Sequence, residues 1–431
     1  MSSDKTYALI PGQIWDATGT PPFQDRAVLV EDGRIAALMN SSELPRRIKT
    51  IRLPDCTLVP GLIDCHVHLS SWMLPSFLAA GVTTVRDVGN DLKWVLARRS
   101  YAGRNPSRSP RILCCGPLLD GPTAHWPIMG RSHEDREAIE TSVRSVITAG
   151  VDAVKLYVNV SKDQMEGAAK VAHESDRHIL AHLGTVSGEE AALAGIDEIE
   201  HLSGCAAAWI ESNDPDIEAL CQSLQDGHVI TCPTLVVWDR IGRVSDSVFI
   251  NDKRLSWVHP SFLDAWRHYP WRAGDAQQRL NLQRGVTHVK QCLREMWQRD
   301  LPIICGTDTP FPYLIPGFSL HDELALMVDA GLTPDAALRT ATSDAASVLR
   351  IGHETGTIAV GNKADLLAVQ GDPTQDIFDI HNVAAVVHEG NIIDRRKLRR
   401  SSNRWGRATS DDPVSRDILG YVNGLRKSGG A

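Results

Sequence analysis

The nine cysteines of this 431-residue chain form no CxxC pair. Zinc held by cysteine needs paired spacings, so a thiolate zinc module is excluded. The cysteine count is odd, and several lie in apolar stretches such as ILCCG and PIICG. That pattern predicts buried, reduced thiols and a cytoplasmic protein. No run reaches the roughly 18 unbroken apolar residues that a membrane span needs. The opening MSSDKTYALIPG has neither the basic start nor the long apolar run of a secretory signal. Positive charge is scarce: 45 Lys and Arg face 53 Asp and Glu, a net charge of −8, which argues against a nucleic-acid partner. There is no Walker loop, no GxGxxG followed by an acidic residue and no GxSxG elbow, so nucleotide binding and serine hydrolysis have no support.

What remains is ordinary globular composition, 42% hydrophobic and 23% charged, which excludes disordered, collagenous and coiled-coil classes. The length suits one large domain plus a small one, since a single α/β barrel can absorb about 250 residues. Residues 5–58 carry short apolar runs broken by turn formers, and Glu31-Asp32-Gly33 joins two of them as a hairpin would. From about residue 60, β-like runs alternate with helix-like stretches such as DREAIETSVRSVITAG. The runs are LIDCHVHL, TTVRDVG, RILCCG, AVKLYV, HILAHL, EIEHL, VITCPTL and PIICGTD. Eight strands alternating with helices predict a parallel sheet closed into a barrel. Short β texture returns after residue 350 in GTIAVGNKADLLAVQG and VAAVVHEGNII, so the small β domain is expected to draw on both chain ends. The expected division is 1–58 with 352–400 as the β domain, 59–351 as the barrel and 401–431 as a C-terminal tail.

The chemistry-bearing signal begins with Asp64-Cys65-His66-Val67-His68 at the end of a strand run. Alternate strand residues point the same way, so His66 and His68 can face one point. Two imidazoles on one face are half a metal site. HxH alone is common, and the other ligands must come from other strand ends. His182 in HILAHLG, His201 in EIEHLSG and Asp308 in PIICGTDTP occupy such positions, where active-site groups of a barrel cluster. Four histidines and an aspartate suit a divalent cation, zinc first. Lys155 in VDAVKLYV sits inside a strand that reads as buried, where an unpaired lysine is costly. Either it snorkels to the rim, or its amine is modified. Addition of CO2 would turn it into an anionic, two-oxygen bridge suited to a two-metal hydrolytic site.

PGLIDCHVHL, AVKLYV, AHLG, IEHL and GTDTP, in this order, resemble the amidohydrolase superfamily. HDELALMVDAGLTPDAALRTATSDAASVLRI and GTIAVGNKADLLAVQGDP are similar to its imidazolonepropionase-related and Xaa-Pro-dipeptidase-like branch. The resemblance implies an α/β fold, a distorted TIM (β/α)8 barrel with a β-sandwich made from both termini. It implies that His66, His68 and Asp308 hold one metal, that His182 and His201 hold a second, and that carboxylated Lys155 bridges them. Two Zn2+ per subunit, or other divalent metals, are the expected cofactor, and a homo-oligomer is expected by analogy. The fourth-strand lysine favours a binuclear hydrolase over a deaminase or an imidazolone-opening enzyme. Where peptidase-like relatives follow this lysine with a Ser-Gly-Gly-type stretch, this chain has Leu156-Tyr157-Val158-Asn159, which weakens the transfer of dipeptidase specificity.

The expected reaction is hydrolysis of a C–N amide bond in an N-acyl amino acid, dipeptide or cyclic amide. A metal-bridging hydroxide attacks, and Asp308 carries the proton to the leaving nitrogen. A lactonase or esterase on the same site is the alternative; a non-catalytic scaffold is disfavoured because the whole ligand set is present. Tyr157, His125 in GPTAHWPIMG and Arg86 in TTVRDVG are candidates to orient substrate. For each a structural role competes: a packed tyrosine, a loop histidine, and an arginine paired with Asp87 or another core acid. Trp238, Trp257, Trp266 and Trp271 in 238–272 suggest either a substrate-covering lid or a helical subunit contact. The basic run RRKLRRSSNRWGR, 395–407, reads as a solvated tail or a salt-bridged subunit contact rather than a nucleic-acid or membrane site.

Overall fold

Asp32 and Gly33 both take positive φ, 47° and 83°. That is the turn a two-residue hairpin needs, and it joins strands Arg26–Glu31 and Arg34–Asn40 with Glu31 opposite Arg34. The computed structural model of the chain describes residues 6–205, 217–243, 246–268, 276–402 and 412–427. The hairpin is one edge of an eight-stranded sheet that draws its strands from both ends of the chain. In this sheet Lys49–Pro60 runs parallel to Tyr7–Ile14 and antiparallel to Leu366–Gln370. Leu9, Val28, Val30, Leu58 and Leu366 pack as its core. Alternating apolar residues in the sequence therefore become one buried sheet face, which is where most of its stabilisation arises.

The rest of the described chain is α/β. Strands Leu62–Val67, Val82–Asp87 and Arg111–Cys114 form a parallel three-stranded sheet. A parallel six-stranded sheet orders Gly130–Arg131, Leu118–Leu119, Ala153–Leu156, His178–Ala181, Glu198–Glu200 and Ile230–Cys232. Helices between the strands start where capping chemistry is written into the sequence. Asp91 and Asp135 accept the amides of Trp94 and Ala138, and Ser161 and Ser187 form capping boxes with Gln164 and Glu190. The predicted amphipathic stretch becomes helix Arg136–Thr148, which buries Ile139, Val143 and Val146.

The eighth predicted strand, PIICGTD, differs from expectation. Residues 303–309 make isolated parallel bridges, Ile303 to Thr231 on one side and Thr309 to Val67 on the other. They so link the two parallel sheets without a regular ladder. The backbone is closely packed here. A Cβ at Gly306 would lie 2.6 Å from both the Cys232 Sγ and the His66 Cβ, so the backbone passes where only glycine fits. Directly after it, Asp308 adopts a left-handed φ of 58°.

Two further expectations concern the C-terminal part. Residues 412–427, read as part of a tail, hold helix Pro413–Lys427 with Val414 fully buried. The basic run begins helix Arg395–Ser402, whose Arg395 guanidinium donates to the carbonyls of Ala79 and Val383 at 2.8 and 2.6 Å. Arg395 is thus held against the fold, whereas Arg396, Lys397, Arg399 and Arg400 are exposed, in keeping with a solvated run; Arg404 and Arg407 lie outside the described residues. All nine cysteines are buried and unpaired, as their apolar surroundings predicted. No helix among the described residues is long and apolar enough to cross a membrane.

Candidate metal centre

His66 and His68 lie at the end of strand Leu62–Val67, and period-two geometry turns both rings to the same side. Each ring is oriented from behind. His66 Nδ1 is 2.6 Å from Glu200 Oε2, and His68 Nδ1 is 3.0 Å from the Gly89 carbonyl. Both partners accept, so each Nδ1 carries a proton and each Nε2 is the nitrogen that would take a cation. The two Nε2 atoms converge on Asp308 Oδ1, each at 3.3 Å. A nitrogen–nitrogen–oxygen trio within 4.8 Å is a ligand set for a divalent cation.

His201 and His182 come beside this trio from the ends of the neighbouring parallel strands. The His201 ring lies 4.6 Å from that of His66 and 4.5 Å from that of His182, centroid to centroid. Strict alternation would send His201 to the opposite face from Glu200. The strand stops at Glu200, and His201 takes a left-handed φ of 61°, a conformation non-glycine residues rarely hold without compensation. The Thr234 hydroxyl, 2.7 Å from His201 Nδ1, steadies the ring. Burial, then the charge of Lys155, pulls the His182 pKa down to about 3. Burial and the adjacent His182 and His66 rings push His201 well below its ordinary value. Both are therefore neutral lone-pair donors. Burial alone would raise Asp308, but hydrogen bonds from His66 and His68 hold its carboxyl well below the usual range.

Lys155 stands in strand Ala153–Leu156 with 1% exposure. Its Nζ is 3.4 Å from Glu200 Oε1, yet neither atom makes a hydrogen bond among the described residues. A buried ammonium without hydrogen bonds is costly. The orphaned amine faces the same cavity as the four histidines and Asp308. This fits a bridging group toward cations: the donor set is nitrogen and carboxylate, and a buried amine without a hydrogen bond among the described residues lines the same cavity.

Sequence reasoning missed two carboxylates behind the site. Glu200 holds His66, and Glu198 accepts both terminal nitrogens of Arg86, one at 2.9 Å. Arg86 also donates to the Cys65 carbonyl at 2.7 Å. Its partner is therefore the core acid Glu198, while Asp87 accepts instead from Leu69 and Asn90. The signal was present in EIEHL: two acids at alternate positions of a strand otherwise buried. A second trio, His66, Glu200 and Cys232, also lies within 4.8 Å, but burial pushes the Cys232 thiol well up and keeps it protonated. Glu200 and Cys232 do not reach the cavity, so this trio orients the site rather than opening onto it.

The cavity above the histidines has a volume of about 590 Å3, in the range of small-molecule sites. Tyr157 lines it, 5.1 Å from the His182 ring, with its hydroxyl 3.2 Å from Trp126 Nε1. Burial raises its phenol above the ordinary value, so it is a neutral donor. His125 stands further out at the rim, 6.0 Å from Tyr157. Trp238 also lines the cavity and donates to the His201 carbonyl at 3.0 Å. Trp257 and Trp266 are instead core residues packed on Phe318 and Tyr313, and Trp271 lies outside the described residues.

The chain is similar to known proteins over most of its length. The model of the Amidohydrolase family matches residues 57–393. Over 57 residues the chain is 46% identical to an imidazolonepropionase of Ralstonia nicotianae, a match to 12% of this chain and 14% of that relative. The chain thus spans about one-seventh of the curated relative it matches. Among solved structures, it is similar to a putative prolidase from Bifidobacterium longum at 25% identity and a TM-score of 0.73, over 92% of this chain and 99% of that one. A bottromycin amidohydrolase is 24% identical with a TM-score of 0.75, over 96% and 92%. A Xaa-Pro dipeptidase with methionine bound in its active site is 19% identical with a TM-score of 0.73, over 90% and 99%.

Proposed function

We propose that this chain, which belongs to the amidohydrolase family, is a hydrolase acting on carbon–nitrogen bonds that cleaves the amide bond of a small substrate with a divalent-metal centre. The substrate is of the N-acyl amino acid, dipeptide or cyclic amide kind. The observation that carries the reading is the convergence of His66 and His68 Nε2 on one Asp308 oxygen, with orphaned Lys155 in the same cavity. His66, His68 and Asp308 would hold one cation, His182 and His201 a second, and Lys155, once carboxylated, would join them. Zinc is the first choice for imidazole and carboxylate donors. When bound, such cations bring the pKa of water down to about 7 and polarise a carbonyl.

The protein's own groups do the rest. Both histidine nitrogens face Asp308 Oδ1, which leaves Oδ2 to take the proton of the attacking water and pass it to the leaving nitrogen. Tyr157, neutral and on the cavity wall, donates to the substrate carbonyl. His125, at the rim, orients the distal part of the substrate. Residues 59–351 are read as a (β/α)8 barrel closed through 303–309, and 1–58 with 352–400 as a β-sandwich built from both termini; the linking bridges on both sides of 303–309 support the closure.

Metal analysis of protein purified without chelator, with hydrolysis of N-acyl amino acids, dipeptides and cyclic amides, tests the reading. Two equivalents of metal and chelator-sensitive amide cleavage are expected. Metal near zero, or hydrolysis confined to lactones and esters, would replace it.

A further inference from the structure

The helix Pro413–Lys427 lies beyond the stretch matched by the family model, yet it forms a wall of the cavity. Ile418 and Tyr421 face the cavity alongside Trp126, Met129, Trp238 and Phe311. The helix is fastened at both levels. Asp417 accepts the amides of Met129 and Ile128 at 2.7 and 3.1 Å, so it fixes the very loop that carries Trp126. Asp412 accepts the Ser71 amide at 2.7 Å and the Trp94 indole at 3.1 Å. Val414 is fully buried against Leu118 and Met129. A solvated tail would use none of these contacts.

The charge of the lining points the same way. Among the described residues it contains no arginine, and its one lysine is Lys155, 1% exposed at the floor of the site. A free carboxylate on the substrate would lose water on entry and meet no counter-cation among the described residues of the wall. An apolar group would instead displace water from Ile418, Tyr421, Trp126 and Met129.

We propose that the helix Pro413–Lys427 is the specificity wall of this site, and that the substrate is a neutral amide whose apolar acyl or aryl group rests on Ile418 and Tyr421 and which bears no free carboxylate. This rests on the reading above that the chain cleaves amide bonds at this centre, and it narrows the substrates named there to cyclic and other neutral amides, away from dipeptides and N-acyl amino acids with a free carboxylate. It sets the chain apart from a dipeptidase even though dipeptidases are among the structures it resembles.

The full, zinc-loaded chain is assayed on N-benzoylglycinamide against N-benzoylglycine, and on acetanilide, butyranilide and octananilide. Binding is followed separately by quenching of tryptophan fluorescence. The neutral glycinamide is expected to exceed its carboxylate partner about tenfold or more in kcat/KM and in affinity. Across the anilides, kcat/KM is expected to rise about fourfold per methylene until the wall is covered, mainly through KM. The double variant Ile418→Ala/Tyr421→Ala flattens this rise, whereas Ile418→Leu/Tyr421→Phe preserves it, with bound metal equal in both. Preference for the carboxylate, absence of binding by both series, or an unchanged length dependence in the alanine variant overturns the inference. Neutral ligands that bind with the stated Ile418/Tyr421 dependence but are never cleaved support the wall and refute the hydrolase reading instead.

Discussion

Asp308 and Asp365 are two carboxylates held far below their ordinary range in two regions that differ in one respect. At Asp365, where the terminal sheet meets the parallel sheets, every neighbour is satisfied. His388 Nδ1 lies 2.7 Å away, Thr355 donates at 3.0 Å, Arg111 at 3.1 Å and the Glu389 amide at 2.8 Å. At the metal centre the partners are incomplete. Lys155 Nζ and Glu200 Oε1 make no hydrogen bond among the described residues, and the Nε2 atoms of His66 and His68 turn to an open cavity. A closed network joins two parts of a fold; an unfinished one waits for something to complete it. A depressed pKa alone does not separate the two, but satisfaction does.

The sharpest break of this comparison is Asp308→Asn. A drop of about 10²–10⁴-fold in kcat is expected with thermal stability almost unchanged; near-native turnover would end its role as proton carrier. Asp365→Asn should do the reverse, with a loss on the order of 3 kcal/mol in urea unfolding and kcat/KM held. Glu200→Gln tests the support behind His66, with about 10–100-fold weaker metal binding in a competition titration expected. For Lys155→Ala, metal analysis should fall from two equivalents toward one; two retained metals and full turnover would dismiss the bridge. The smallest effect concerns pH. Burial opposes ionisation of Asp365, but His388 and Arg111 outweigh it and lower its pKa. Its contribution to stability is therefore complete above the unfolded carboxylate range near pH 4 and is lost as pH falls toward the folded value. Wild type should lose stability on acidification below about pH 4 more steeply than Asp365→Asn, read from melting temperatures along a pH series.

Much of the centre is legible in the residues because its signals are local. HxH on a strand end shares a face by period two, and Lys155 announces itself as a charge in an apolar run. Asp32-Gly33 specifies its turn because glycine and aspartate tolerate positive φ. Other features hide because they depend on distant backbone. Glu200 reads as an ordinary strand acid until His66, 134 residues away, is placed beside it. His201 reaches the site through a left-handed residue that alternation does not anticipate. The helix Pro413–Lys427 was missed although Val414, Ile418 and Tyr421 follow helical spacing, because a short polar stretch separates it from every other periodic segment.

Sequence by itself determined which groups can act: the imidazoles, the carboxylates, the amine of Lys155 in its apolar run and the alternation that sends them to strand ends. These follow from residue type and from periods of two and 3.6, which need no knowledge of neighbours. Tertiary structure alone decided which atoms face each other, which tautomer each ring adopts and which wall the substrate meets. Those depend on backbone brought together across hundreds of residues and on how completely each buried polar atom is paired there.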